Sequence, residues 1–442
     1  MFKTLKNAWK IQEIQNKILF TLLIILLYRL GNQIPVPFVT GFGESTQLFG
    51  GTILGYLSLL SGGALQNATM FALSVSPYIT ASIVIQLLTV AFPNSLGKLS
   101  KDEEGQKKIK LYTRYITVGI ALVTAYGYTG LLGSYKALDT TAIAWNGWWG
   151  TGIGILNTFV IIATYVAGAA VVMWFAELID AQGIGNGISI ILFFNIISSI
   201  PTFALEIWSI ATSPSYHWVV GIFLGLFSVV LTLAMIVLIV WVTHSERRIP
   251  IQYAKRVVGR KMYGGQSTNL PIKLNMTGVM PIIFASSIVS VPATIAAFVG
   301  ENWFTKWVDR WFSTNDELYV IVYLILIVAF AYFYILISFN PVEVANNIKN
   351  NGGSVPGIRT GRPTAEYITK ILNRITLIGA FFLIIVAGVP MIIGVISKYL
   401  NFQFAALSFG GSSLLIVIGV AIETFRDIEA QITMRNYKGF LD

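Results

Sequence analysis

Cysteine is absent from the 442 residues, and the two histidines, His217 and His244, stand alone. Disulfides and thiolate metal sites are therefore excluded. Charge is scarce too: Asp, Glu, Lys and Arg make up 11% of the chain, against about 25% in ordinary soluble domains. There is no HExxH pair, no GxxxxGK[ST] loop and no nucleophile with a base beside it, so the chain reads as no enzyme and calls for no cofactor. Acids are missing from the apolar runs, since Glu177, Asp180 and Glu423 fall at helix ends. A small-solute secondary transporter with inverted repeats is the alternative reading, but ion coupling needs titratable or coordinating groups inside the membrane. Arg29 is the one charge inside a span. An Arg at the bilayer centre costs about 2.5–3.5 kcal/mol on insertion scales, so it is expected to snorkel outward toward Pro35-Val36-Pro37, in a structural role.

What is present is apolar. Hydrophobic residues are 55% of the chain and mean hydropathy is +0.72. Runs of spanning length occur at about residues 18–38, 70–91, 112–133, 152–176, 184–204, 218–242, 276–299, 318–339, 372–396 and 403–422. The expected fold is an all-α polytopic membrane protein with ten transmembrane helices. The first run follows Lys3, Lys6, Lys10 and Lys17, but no small-residue cleavage site follows it, so it is read as retained. Of the 30 Lys and Arg, 25 fall in the N-terminal tail, after residue 425 and in three alternate loops. The positive-inside rule then puts both termini in the cytoplasm. An even count divides into two halves of five helices, residues 1–205 and 206–442. Five is odd, so the halves are inverted, a common plan with a central site.

Between Gly50 and Asn67 lies a run of the wrong length. Thr52 to Leu60 is bracketed by Gly50-Gly51 and Gly62-Gly63. It is too short to cross a bilayer and reads as a re-entrant helix, free to be displaced by virtue of its glycines. Its side chains Thr52, Ile53, Leu54, Tyr56, Leu57, Leu59 and Leu60 make a stopper, within a plug of about residues 50–66. The second span carries Ser76, Thr80 and Gln86, and the seventh Ser286, Ser287 and Ser290. Small and hydroxyl residues serve helix packing in membranes, or else border a seam that opens; the residues alone leave both open. Gly183-Ile184-Gly185-Asn186-Gly187 follows no strand and reads as a tight turn. Two long loops, about 244–274 and 340–370, carry Arg247, Arg248, Lys255, Arg256, Arg260, Lys261 and Arg359. Ordered loops of that length tend to be functional, and these read as docking surfaces for a large, partly anionic partner.

Several strings then converge. Gly62-Gly63-Ala64-Leu65, Phe71-Ala72-Leu73 and Pro77 to Ile83 come first, followed by Gly183 to Ser189, Tyr253-Ala254-Lys255-Arg256 and Gln266-Ser267-Thr268. Pro281 to Ser287, Val355 to Arg359 and Gly410 to Ile416 complete the series. In this order they resemble the SecY family, pore subunits of the Sec protein-conducting channel. The resemblance implies the central subunit of a translocation channel in the plasma (inner) membrane of a prokaryote. Unfolded secretory polypeptides would cross it, and hydrophobic segments would leave sideways into lipid. It implies an external plug and a lateral gate between the second and seventh helices, at Ser76, Thr80, Gln86, Ser286, Ser287 and Ser290. It implies an aliphatic pore ring of Ile79, Ile83, Ile188, Leu192, Ile283 and Ile416; the members of each pair Ile79/Ile83 and Ile188/Leu192 are four apart and share a helix face. Such a ring offers no hydrogen bonds or charges, so it can dewet against ions yet yield to a passing chain. The implied partners are SecE and SecG type small subunits, the SecA motor, the ribosome, signal-bearing polypeptides and membrane lipid. Arg359 would face the motor, and Arg256, Arg260 and Lys261 the ribosome. Thr360 departs from the proline common after Ile-Arg in the family.

Overall fold

The computed structural model describes residues 9–39, 53–92, 95–99, 102–134, 152–212, 218–253, 256–258, 261–263, 267–299, 302–311, 316–400 and 410–438. Thr52, Lys255 and Arg260 lie outside the described residues. The helices are α1 Gln12–Gly31, α2 Ile53–Leu60, α3 Ser76–Ala91, α4 Glu103–Ser134, α5 Gly152–Gln182, α6 Gly187–Ser198 and α7 Ile200–Ala211. They continue with α8 Trp218–His244, α9 Met280–Val299, α10 Trp303–Trp311, α11 Glu317–Ser338, α12 Pro341–Asn350, α13 Arg362–Leu400 and α14 Gly410–Lys438. A further single turn covers Leu96–Leu99. Among the described residues seven helical stretches are long and apolar enough to cross a membrane. With α3, α9 and α14 they supply the ten spans.

Helix is forced on these segments because lipid offers no partner to a backbone N–H or C=O. In α8 the three hydroxyls are also satisfied locally: Ser228 donates to the Leu224 carbonyl at 2.8 Å, Thr232 to the Ser228 carbonyl at 2.9 Å and Thr243 to the Ile239 carbonyl at 2.7 Å. One flank of α8 presents Phe223, Leu226, Val230, Leu233, Val237 and Trp241 outward at helical spacing. That is the pattern of a lipid-facing helix.

Several span boundaries differ from expectation, and three of them have a backbone reason. The first helix runs 12–31 rather than 18–38, stopping short of Pro35, which has no N–H to continue a helix. Pro35 instead forms an isolated bridge with Thr69. The second helix begins at Ser76 with Pro77 in its first turn. Residues 67–75 wind through turns, with Ala68 and Ser74 each at φ 49°. The fifth breaks at Ser199, and Pro201 opens α7. The glycine turn before α6 is as expected: Gly185 has φ 74°, and Asn186 caps the helix by accepting the Ser189 N–H at 3.1 Å.

One element has no counterpart in the all-helical expectation. Residues of both long loops form a three-stranded antiparallel sheet, in the order β4 (Ser267–Lys273), β1 (Glu246–Tyr253), β5 (Gly353–Ser354). Gln252 pairs with Ser354 and Tyr253 with Gly353, tying loops about a hundred residues apart. A two-stranded ribbon, β2 (Arg256–Val258) and β3 (Lys261–Tyr263), extends between β1 and β4. Ile249, Ile251 and Ile272 are buried under the sheet with Ile348, Val355 and Ile368. The largest apolar core lies elsewhere and draws on α1, α3, α5, α6, α8, α9, α11, α13 and α14 together.

Candidate functional site

A cavity of about 330 Å³ opens where α2, α3, α4, α6, α9 and α14 meet. From α2 it is lined by Leu54, Leu57 and Leu60. Four of the six predicted ring side chains, Ile79, Leu192, Ile283 and Ile416, line it as well. Ile83 and Ile188 do not reach its wall, but both belong to the surrounding apolar core, Ile83 fully buried and Ile188 packed against it. Each of the six is a plain hydrocarbon branch, so these side chains bring neither charge nor hydrogen-bonding group.

The predicted seam residues divide in the same way. Helices α3 and α9 pack against each other, and Ser76, Thr80, Ser286, Ser287 and Ser290 line the cavity. Gln86 is partly buried farther along α3 and is not brought to it. Thr80 donates to the Ser76 carbonyl at 3.1 Å, Ser286 and Ser287 to Ile283 at 2.9 and 2.8 Å, and Ser290 to Ser287 at 2.8 Å. These donors turn back onto their own helices. Sequence reasoning missed the α4 wall, where Ile120, Val123, Thr124 and Tyr128 complete the cavity; nothing in the local pattern of α4 sets it apart from a lipid-facing helix.

The short helix α2 is as the sequence predicted, eight residues from Ile53. It ends in two left-handed glycines, Gly62 at φ 67° and Gly63 at φ 85°. The Gly63 N–H reaches back to the Ser58 carbonyl at 2.8 Å, which closes the helix. Leu59 and Leu60 pack partly buried against the main core. The expectation for Arg29 is corrected: its guanidinium does not snorkel outward but donates to the Phe194 carbonyl of α6. Arg29 thus ties α1 to α6 beside the end of α2. Sequence reasoning also passed over Asn195 and Tyr28, which gather at that point with Ser74; the signal was a lone asparagine among the Ile, Leu and Phe of α6.

Of the seven predicted basic residues, the five that are described lie on β1, β2 and β3 or in the loop after β5. Arg247 and Arg248 on β1 are exposed, with Arg248 held to Glu246 at 2.7 Å. Arg256 and Lys261 belong to the β2–β3 ribbon. Arg359 is exposed between two left-handed glycines, Gly357 at φ 79° and Gly361 at φ 98°, and its carbonyl accepts from Thr364 at 2.8 Å. Thr360 therefore stands in a loop tip already fixed by its backbone. On the C-terminal part of α14, burial raises the Glu423 carboxyl above its ordinary range, Asp427 adds to the rise, and Lys273 and Arg426 oppose it.

Comparison with known proteins agrees with this arrangement. A sequence profile of the SecY family matches residues 69–425. The protein translocase subunit SecY of Streptomyces galbus is 41% identical over 450 residues, covering 100% of both chains. That of Streptomyces coelicolor is 42% identical over 451 residues and that of Mycobacterium bovis 40% over 460, again covering 100% of both chains. The solved structure of a protein conducting channel superposes with a TM-score of 0.62 at 15% identity, over 94% of this chain and 92% of that one. A SecY structure whose plug domain stabilises the closed state and maintains a membrane seal gives 0.63 at 16%, with the same coverage. Sec61 in the canine ribosome-channel complex gives 0.60 at 16%, also with that coverage. This chain belongs to the SecY family.

Proposed function

We propose that the chain is the central subunit of a protein translocation channel in the plasma membrane of a prokaryote, with both termini cytoplasmic. Unfolded secretory polypeptides pass along the cavity axis, and hydrophobic segments leave between α3 and α9. The observation that carries this reading is a single cavity walled jointly by α2, by the aliphatic side chains and by the seam hydroxyls. Residues 1–205 and 206–442 act as the two halves, and both contribute to that wall, so separating them widens it. Ile79, Ile83, Ile188, Leu192, Ile283 and Ile416 act as the ring, and α2 as the plug above it. Each CH₂ that a hydrophobic segment moves from water into lipid contributes about 0.8 kcal/mol, which favours sideways exit once the seam parts. The chain performs no chemistry. Work comes from a SecA motor or a ribosome docked on the sheet face through Arg247, Arg248, Lys255, Arg256, Arg260, Lys261 and Arg359, and small SecE and SecG type subunits complete the assembly.

Because the chain has no cysteine, a single one at Leu192 is a clean probe. In the reconstituted complex it is expected to crosslink to a stalled secretory chain, while one at the outward-facing Val237 is not. Replacing Ile79, Ile83 and Ile283 together with glycine is expected to raise ion conductance severalfold. Crosslinking equal at the two sites, together with unchanged conductance, would refute the channel path drawn here.

A further inference from the structure

The end of α2 is held by side chains that the pore, the seam and the docking face do not use. The carbonyls of Leu57, Ser58 and Leu59 receive the backbone N–H groups of Ser61, Gly63 and Gly62. The next two carbonyls are met by amides from other helices. Asn195 of α6 donates to Leu60 at 2.8 Å, and Asn32, just past α1, donates to Ser61 at 3.4 Å. Asn195 is wholly buried. Its same amide nitrogen lies 2.9 Å from the hydroxyl of Tyr28, itself wholly buried and stacked on Phe71 with ring centroids 5.6 Å apart. The Tyr28 hydroxyl lies 3.2 Å from that of Ser74. The orientation of the Asn195 amide is fixed, because the Leu60 carbonyl can only accept. Its Oδ1 faces Gly62 and, among the described residues, has no hydrogen-bond partner.

We infer that Asn195, positioned by Tyr28 and Ser74, is the latch that holds α2 in its seat, so that it sets how readily the channel opens. The inference rests on α2 being the plug. Of the three acceptors that the Asn195 nitrogen meets, Tyr28 Oη, Ser74 Oγ and the Leu60 carbonyl, only Leu60 lies on α2, and that makes its bond the latch. When α2 withdraws, Asn195 keeps Tyr28 and Ser74 as acceptors and gives up the one bond that crosses to α2. That buried bond is favourable, so the seated state is preferred. The position of the latch also matters, since it grips the last residue of the helix. The adjoining Gly62-Gly63 hinge can then swing once that one carbonyl lets go.

The test uses the full complex with its small subunits in vesicles. Ser58, 5% exposed, is replaced by the chain's only cysteine, and a membrane-impermeant maleimide reports whether α2 is seated. In Asn195→Leu, labelling is expected to rise about tenfold, the factor that corresponds to about 1.4 kcal/mol. Tyr28→Phe, which keeps the stacked ring and removes only the hydroxyl, should give a smaller rise, and the double variant less than the product of the two. Labelling at the parent rate in both single variants would overturn the latch. Should Asn195→Leu fail to assemble, Tyr28→Phe decides alone. Ion leak, with deletion of residues 53–60 as reference, is read separately. A rise in labelling without leak keeps the latch and rejects the seal, whereas leak on deletion with no change in labelling does the reverse.

Discussion

At Gly62 one absent methyl group decides how α2 can lie. An ideal Cβ there would stand 2.8 Å from Asn195 Oδ1 and 2.9 Å from Arg29 Nη1, whereas at Gly63 the nearest atom is 4.0 Å away. Both glycines are left-handed, so alanine at either adds about 1–2 kcal/mol of backbone strain. Only Gly62→Ala adds a collision with Asn195 and Arg29. The ion leak of Gly62→Ala should therefore exceed that of Gly63→Ala; equal leaks would mean that strain alone governs the turn. The glycine pair was legible in the sequence as a hinge, but its neighbours were not. Arg29 donates to a backbone carbonyl 165 positions away, and no pattern of residue types near Arg29 could announce a backbone partner. The same holds for Asn195: a polar residue in an apolar helix signals a buried bond, yet which carbonyl it meets depends on how α1, α2 and α6 pack.

Single elements obey rules that can be read locally, and the departures arise where partners are remote. Each of the ten apolar runs was met by helix, and three of the corrected ends trace to Pro35, Pro77 and Pro201. The ring and seam positions were drawn by resemblance, and most of them line one cavity, whereas Ile83, Ile188 and Gln86 do not. The hydroxyls of Thr80, Ser286, Ser287 and Ser290 donate along their own helices, which sets apart two explanations of the proposed closure. If packing holds α3 to α9, Ile283→Ala removes a buried side chain and loosens the seam by about 2–5 kcal/mol. Ser286→Ala with Ser287→Ala removes only intrahelical bonds and should shift closure by about 0.5 kcal/mol or less. Leak measured on both variants distinguishes them, because a leak from the paired alanines matching that of Ile283→Ala would mean the hydroxyls bridge the two helices. The sheet was not foreseen. Ile249 and Ile251 alternate with Arg248, Pro250 and Gln252 as a half-buried strand should, but the pairing that makes this signal meaningful comes from β4 and, across four intervening helices, from β5.

For the molecule as a whole, that sheet joins both long loops into one body with its own core, distinct from the core around the cavity. Ile335 of α11 and Ile375 of α13 carry this second core down into the spans. A load applied to the sheet is thus delivered to α11 and α13, and α11 packs on α9. Gly353 is where β5 comes closest: an added Cβ would meet Tyr253, Ile251 and Ile348 at 3.0, 3.1 and 3.1 Å. Gly353→Val should push β5 off β1 and free the Arg359 loop from the strand that positions it. On the docking role proposed above for Arg359, its partner then loses a correctly placed cation, and affinity should fall about tenfold, the equivalent of about 1.4 kcal/mol. The ion leak should stay at the parent value, because distant sites with separate cores add independently. Binding isotherms and leak on the same preparation decide the matter: unchanged affinity would mean that β5 does not present the docking loop, and a leak rising in step with lost affinity would mean that the two cores act as one.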